Sequence, residues 1–243
     1  MTTTMRKPLA LIPAFNESAT IGQLVGRVRA VAPELPIVVI DDGSTDGTGA
    51  IARAAGARVV RLPFNLGYGV AMQTGYKYAL RRGHDCVVQL DGDGQHEPAD
   101  VPALLDAIVQ GGADVALGSR FLAEDAYRPE PLRRLGMRLF AWLAFLLGGS
   151  RFTDVTSGFQ ALSCEAVRFL AADRYPPDYP DADVLLMLAR AGFRIREVPV
   201  RMYRKQGGRS MHSGLRPVYY VFKMLLSVSL TSLRREALDR KGA

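Results

Sequence analysis

Short runs of Val, Ile, Leu and Ala recur through the first half of the chain, at LALIPAF, PIVVIDDG, ARVVRL, DCVVQLDGDG and ADVALGSRF. Between them, apolar residues fall at three- and four-residue spacing, which predicts helices from Glu17 to Ala32, Asp46 to Ala55, Gly67 to Arg82 and Pro98 to Val109. Apolar strands alternating with helices predict an α/β fold with a mostly parallel central sheet flanked by helices. Polar clusters stand at the ends of four of these runs: PAFNE, DDGSTD, DGDGQ and GSR. In open α/β sheets the loops leaving the C-terminal strand ends line the ligand crevice. The four clusters are therefore expected to converge.

Beyond Phe121 the pattern changes. A helix is expected from Pro131 to Leu147, with Arg133, Arg134 and Arg138 near its start and an apolar end. There follow TSGFQALS, a helix around Asp181 to Arg190, a strand in FRIREVPVRMY and a basic loop, RKQGGRSMHSG. The last stretch, LRPVYYVFKMLLSVSLTSLRREAL, reads as an amphipathic helix with cationic ends. No run approaches the ~20 apolar residues of a bilayer-spanning helix, and MTTTMRKPLALIPAF lacks a signal peptide's apolar region and cleavage site. Its apolar part is expected as the first strand.

Chemistry enters with DGDGQ. Asp91 and Asp93 stand two residues apart in a glycine-rich turn at the exit of a strand, where two like charges repel unless a cation lies between them. Carboxylates are hard ligands that select Mg²⁺ or Mn²⁺, and Gln95 adds an amide oxygen. Such an ion fills its remaining positions with water and substrate phosphates, which implies a phosphorylated partner. A calcium loop starting at Asp91 would need glycine sixth and glutamate twelfth, where the chain has His96 and Pro102. In VVIDDGSTDGT, Thr45 or Asp46 is a candidate helix cap, while Asp42 is placed to accept hydrogen bonds from a base or ribose. No GxGxxG follows a strand, which argues against NAD and FAD.

Other features narrow the reading less. Gly67, Ala71, Gly75 and Ala79 align small residues along one helix face, expected to pack against the sheet. Cys86 and Cys164 have no metal or CxxC spacing and read as buried free thiols of a reducing compartment. His84, His96 and His212 are dispersed, with only His96 beside the acidic turn. The net charge of +7 suits anionic partners. The arginines form no known nucleic-acid module, so a phosphorylated ligand or anionic membrane surface is favoured over nucleic acid.

The ordered set PAFNE, DDGSTDGT, NLGYGVAMQTGY, LDGDGQHEP, GSR, TSGFQALS and EVPVRMYRKQGGRS closely resembles glycosyltransferase family 2, with the GT-A fold. Within it the chain looks most like the polyprenyl-phosphate and dolichol-phosphate sugar synthases. The resemblance runs from Leu9 to Ser213. It implies a catalytic domain over residues 1–213 and an amphipathic helical extension over 214–243. It also implies a UDP- or GDP-hexose donor, Mg²⁺ or Mn²⁺, and inverting transfer to a polyprenyl phosphate. The protein is then expected in the cytoplasm, peripherally on the inner membrane face, held directly or through a separate membrane protein.

Carried over by position, the resemblance assigns Pro13, Phe15, Glu17, Ile40, Asp42, Asp91, Gly92 and Lys205 to the nucleotide sugar. It assigns Asp91, Asp93 and Gln95 to the metal and Arg120 to phosphate. In the basic loop the family tends to show arginine, Gly-x-Ser, then lysine; here Lys205 and Met211 stand at the first and last of these, and Arg209 is a candidate for the missing charge. A lipid-phosphate acceptor is already anionic and needs no general base, only cations, for which Arg120, Arg134, Arg138 and Arg209 are candidates. A sugar hydroxyl acceptor needs a base, for which Asp154 is the candidate beside Asp93 and Arg120 as catalytic residues. A non-catalytic nucleotide-sugar binder is the third reading.

Overall fold

The computed structural model of the chain describes residues 7–122, 152–172, 175 and 182–203. The helix expected over 131–147, the basic loop and the extension over 214–243 lie outside these residues. The described residues form a sheet of seven strands: β1 (Pro8–Ala14), β2 (Ile37–Asp41), β3 (Arg58–Arg61), β4 (Cys86–Gln89), β5 (Val115–Ser119), β6 (Gln160–Ser163) and β7 (Ile195–Pro199). The helices are α1 (Ile21–Val31), α2 (Thr48–Ala54), α3 (Tyr68–Arg81), α4 (Val101–Val109), α5 (Cys164–Ala171) and α6 (Ala182–Arg190). Strand order is β3-β2-β1-β4-β6-β5-β7.

Side chains alternate across the sheet as a two-residue repeat requires. Leu9 and Leu11 of β1, with Val38 and Ile40 of β2, enter one apolar layer with α3, α5 and α6. Ala10 and Ile12, with Ile37 and Val39, enter the other with α1 and α4. Both faces are covered, which explains why the strands read as continuous apolar runs. The small stripe on α3 packs as expected: Ala71 and Ala79 are buried, and a Cβ at Gly75 would collide with the side chain of Leu11. Replacing Gly75 by Leu is expected to destabilise the fold by about 1–3 kcal/mol through overpacking, measurable by urea unfolding.

β1, β2 and β3 run parallel and progress toward one edge, whereas β4 pairs with the opposite side of β1. The order of strands therefore reverses between β1 and β4. Such a reversal opens a crevice at the carboxyl ends of the two strands.

The main departure from the sequence expectation lies in TSGFQALS. It contains β6, which runs antiparallel between β4 and β5, followed directly by α5, a helix that the periodicity does not announce. Cys164 opens that helix behind the Ser163 cap and is half-buried, not a buried strand residue; Cys86 is buried as expected, and both thiols are free. Expected helix ends are also trimmed. The Glu17 carbonyl accepts the amides of Thr20 and Ile21, so residues 17–20 form a turn before α1.

Candidate active site

The loops at the carboxyl ends of β1, β2 and β4 are stitched together by backbone-to-side-chain hydrogen bonds. Asn16, held at φ 54°, accepts the Thr45 amide on its Oδ1 (3.0 Å) and donates its own amide to Ser44 Oγ (3.0 Å). The amides of Glu17 and Ser18 donate to Thr48 Oγ1 (2.9 Å) and Asp46 Oδ2 (3.0 Å). Asp46 also accepts the Thr48 amide at 3.0 Å, so of the two cap candidates it is Asp46 that binds the start of α2. Thr20 Oγ1 donates to the Gly92 carbonyl (2.8 Å), and the Gly92 amide donates to the Pro13 carbonyl (3.2 Å), closing the reversal point between β1 and β4.

Asp91 sits in this crevice, held on several sides. Tyr68 of α3 donates its hydroxyl to Oδ1 (2.9 Å), and His96 Nε2 lies 3.6 Å from Oδ2. Enclosure, followed by the charge of Asp93, pushes the Asp91 carboxyl up to about 7. Asp93 accepts the Gln95 amide on Oδ1 (3.0 Å) and the Gln95 side-chain amide on Oδ2. Two carboxylates that cannot both ionise comfortably, with an amide whose rotation would present a third oxygen, fit a hard divalent cation. Among the described residues no cluster of three or more His, Cys, Asp and Glu could hold a metal ion; Asp91, Asp93 and Gln95 remain the candidate oxygen donors.

His96 is no ligand in this arrangement. Its ring is buried and stacked on Phe159 (4.8 Å between centroids, 10° between planes), and burial lowers its pKa to about 4. The neutral ring accepts the Asp91 amide on Nδ1 (3.1 Å), which leaves its proton on Nε2, facing the Asp91 carboxylate.

The raised Asp91 pKa sets a pH dependence. Between about 4 and about 7 the metal-free folded protein keeps a proton that the unfolded chain has lost. This group's contribution to stability therefore falls as pH rises through that window and is level above it. A cation must displace the same proton, so Mn²⁺ affinity is expected to weaken about tenfold per pH unit below about 7, with one proton released on binding, as calorimetry in buffers of different ionisation enthalpy would show.

Because β6 runs antiparallel, its first residue lies at the same sheet edge as the ends of β4 and β5, and the preceding segment Asp154–Phe159 enters the crevice. Gly158 passes so close that an added Cβ would lie 2.8 Å from Asp91 Oδ2. Gly158→Ala is thus expected to displace the carboxylate and slow catalysis roughly 100-fold, which steady-state kinetics would measure.

Asp154 itself is 0% exposed and holds Arg120, accepting from its Nε at 2.6 Å and its Nη2 at 3.3 Å. Its amide and that of Thr153 donate to Glu197 Oε1 (3.1 and 2.8 Å). Asp154, the candidate base for a sugar-hydroxyl acceptor, is held in an ion pair with Arg120. Arg120, 17% exposed, carries the accessible side of that pair and lies close enough to lower the Asp91 pKa.

The other assigned residues differ in exposure. Phe15 is 44% exposed at the mouth of the crevice, and Glu17 is half-buried beside it. Pro13 and Gly92 meet through their backbones. Ile40, placed at the nucleotide by resemblance, is enclosed in the core, and Asp42, 3% exposed, accepts the Leu66 and Gly67 amides (2.8 and 2.9 Å). In this structure Asp42 thus latches the loop before α3. Arg134, Arg138, Lys205 and Arg209 lie outside the described residues. The chain approaches the basic loop beside the acidic turn, however. Tyr203 donates its amide to the Gln95 carbonyl (2.8 Å) and its hydroxyl to Glu97 (2.7 Å), which also takes both 2.6 Å bonds from Arg27 Nη2.

Tyr68, Gln160 and Glu197 lie inside motifs that carry the family resemblance, but neither they nor Gln89 received a role from it. Gln89 and Gln160 did leave a signal, as polar residues bordering apolar runs in CVVQL and QALS.

The glycosyl transferase family 2 model matches residues 10–175. A polyprenol monophosphomannose synthase from Mycolicibacterium smegmatis is 34% identical over 220 residues, covering 86% of this chain and 82% of its own. An undecaprenyl-phosphate mannosyltransferase from Micrococcus luteus is 33% identical over 217 residues, covering 85% and 87%. The crystal structure of glucosyl-3-phosphoglycerate synthase from Mycobacterium tuberculosis with Mn²⁺ and UDP-glucose aligns with a TM-score of 0.70 at 24% identity, over 93% of this chain and 80% of that one, and shows the shared GT-A fold. A family match over more than half the chain, on a sheet whose acidic turn lies at the strand-order reversal, establishes that this chain belongs to glycosyl transferase family 2 and is a glycosyltransferase.

Proposed function

We propose that the protein transfers a hexosyl group, with inversion, from UDP- or GDP-hexose to a polyprenyl phosphate at the cytosolic face of a membrane. The carrying observation is the convergence of Asp91 and Asp93 with Arg120, whose carboxylate partner is buried beneath it. Relatives named for polyprenol-phosphate and undecaprenyl-phosphate sugar transfer support the acceptor class. Pro13, Phe15, Glu17 and Asp42 are proposed on the donor's side, by the family resemblance, while Lys205 and Arg209 follow Tyr203 in sequence, beyond its contact with Gln95.

In this reaction an acceptor phosphate oxygen bonds to the anomeric carbon as the bond from that carbon to the nucleotide diphosphate breaks. The electron pair leaves with the diphosphate. Mg²⁺ or Mn²⁺, held by Asp91, Asp93 and Gln95, would supply charge stabilisation for that leaving group. Arg120, fixed by Asp154 through Nε and Nη2, would offer its remaining guanidinium N–H groups to a phosphate, with Arg134 and Arg138 as further cations. A lipid phosphate is anionic and surrenders no proton. The enclosure of Asp154 under Arg120 favours such an acceptor over a hydroxyl, which would need a free base.

Among the described residues no helix is long and apolar enough to cross a membrane. Contact with the bilayer is proposed through residues 131–147 and 214–243, and no separate membrane protein is invoked. Incubating a panel of UDP- and GDP-hexoses with Mn²⁺ or Mg²⁺ and polyprenyl phosphate should move label into the lipid phase. EDTA should stop it, and the protein should float with anionic liposomes. Transfer to soluble glycans alone, or donor binding without cleavage, would replace this reading.

A further inference from the structure

Beneath the acidic turn lies a buried chain of polar side chains that neither donor binding nor transfer explains. Gln89 of β4 and Gln160 of β6 are register partners in adjacent strands and are 2% and 6% exposed, in positions where a sheet covered on both faces would otherwise hold aliphatic residues. Gln160 Nε2 donates to Gln89 Oε1 (3.2 Å), which also accepts the hydroxyl of the fully buried Tyr76 (2.8 Å). Gln89 Nε2 donates to the Tyr68 hydroxyl oxygen (3.3 Å), and that hydroxyl donates to Asp91 Oδ1 (2.9 Å).

Every hydrogen in this series points the same way. Gln160, Gln89 and Tyr68 each give their proton to the next member, and the series ends on the Asp91 carboxylate. The orientation leaves Gln160 Oε1 buried without a partner among the described residues. Rotating that amide would satisfy nothing at Gln89, because it would set two carbonyl oxygens against each other. A leucine or methionine at position 160 would leave no donor or acceptor of Gln89 stranded, since Tyr76 still bonds its oxygen. A network with an unpartnered member is costlier than an apolar core of the same shape, so packing alone does not account for it.

We propose that Gln160, Gln89 and Tyr68 are positioning residues that hold Asp91 from behind and aim its remaining lone pairs at the divalent cation. This rests on the cation reading of Asp91 and Asp93. Tyr68 sits in the first turn of α3 and reaches the carboxylate from the helix side, while Gly158 and His96 border it elsewhere. Partners behind a metal-binding carboxylate commonly govern affinity because they fix its orientation and basicity.

The test is a titration of Mn²⁺ into the purified full chain, followed by the electron paramagnetic resonance of the free ion, with UDP and separately with GDP present. Wild type should bind and Asp93→Asn should not. Tyr68→Phe keeps the ring and loses only the hydroxyl; it should raise the Mn²⁺ dissociation constant roughly 10–100-fold. Gln160→Met should move it in the same direction while its Tm equals or exceeds that of wild type, a combination that a merely structural network does not produce. Tyr78→Phe, altering a tyrosine of the same helix that lies against Arg82, should leave binding unchanged. If Tyr68→Phe binds Mn²⁺ as wild type does while Asp93→Asn does not, the positioning role fails and the cation reading stands. If wild type binds no Mn²⁺ under either condition, both fall.

Discussion

Asp93→Asn is expected to reduce sugar transfer roughly 1000-fold or more while leaving the fold intact, by the scale on which a single electrostatic stabiliser of a transition state matters. The substitution is close to isosteric. Asparagine retains an Oδ1 that can accept the Gln95 amide, so the turn following β4 keeps the 3.0 Å bond that shapes it. What disappears is one negative charge facing Asp91. The site then loses a ligand for the divalent ion, and the second cause of the raised Asp91 pKa goes with it. Transfer assays should therefore show near-complete loss, with a melting temperature at or above that of metal-free wild type. A variant that retains transfer and its dependence on Mn²⁺ would remove Asp93 from the metal site.

Arg120→Ala should lower stability and abolish transfer together. It strips the partner from a carboxylate that is 0% exposed, leaving Asp154, among the described residues, the amide of residue 120 and the hydroxyl of Thr156, both at 3.3 Å. Breaking a buried ion pair from one side costs about 3–5 kcal/mol, which for a chain of this size lowers Tm by roughly 10 °C. The double variant Arg120→Met, Asp154→Leu removes both charges and should recover most of that loss. Its transfer activity should stay absent, because no guanidinium remains to meet a phosphate. Thermal unfolding and transfer measured on the same three proteins separate the two roles. Recovery of activity in the double variant would mean that Arg120 serves the fold alone.

The position of Asp154 shows how sequence and structure divide the information. A carboxylate before TSGF is readable as a base because its type is right and the motif is polar. Its partner lies 34 residues away, at the end of β5, and no local pattern signals that pairing. Asp42 carries the same lesson. Its place at the end of an apolar strand suggests a ligand contact but does not reveal that its oxygens accept amides 24 and 25 residues on. Asp91 and Asp93 were legible as an acidic pair because charge repulsion within a three-residue turn needs no tertiary knowledge to state, whereas the Tyr68 hydroxyl on Asp91 comes from 23 residues away. The stripe on α3 was likewise legible, since a helical repeat places Ala71, Gly75 and Ala79 on one face whatever they meet, although only the structure names Leu11 as the neighbour of Gly75.

By itself the sequence determined the alternation of strands and helices, the two-sided burial of the sheet, and the acidic turn at the end of β4. Each follows from a period of two or of 3.6 residues, or from charges adjacent along the chain. Tertiary structure decided the direction of β6. Within QALS nothing distinguishes a strand that runs with its neighbours from one that runs against them, because direction is set by hydrogen-bond pairing with β4 and β5. That one reversal carries Asp154, Gly158 and Gln160 to the edge where Asp91 lies, and so assembles the candidate active site from residues far apart in the chain.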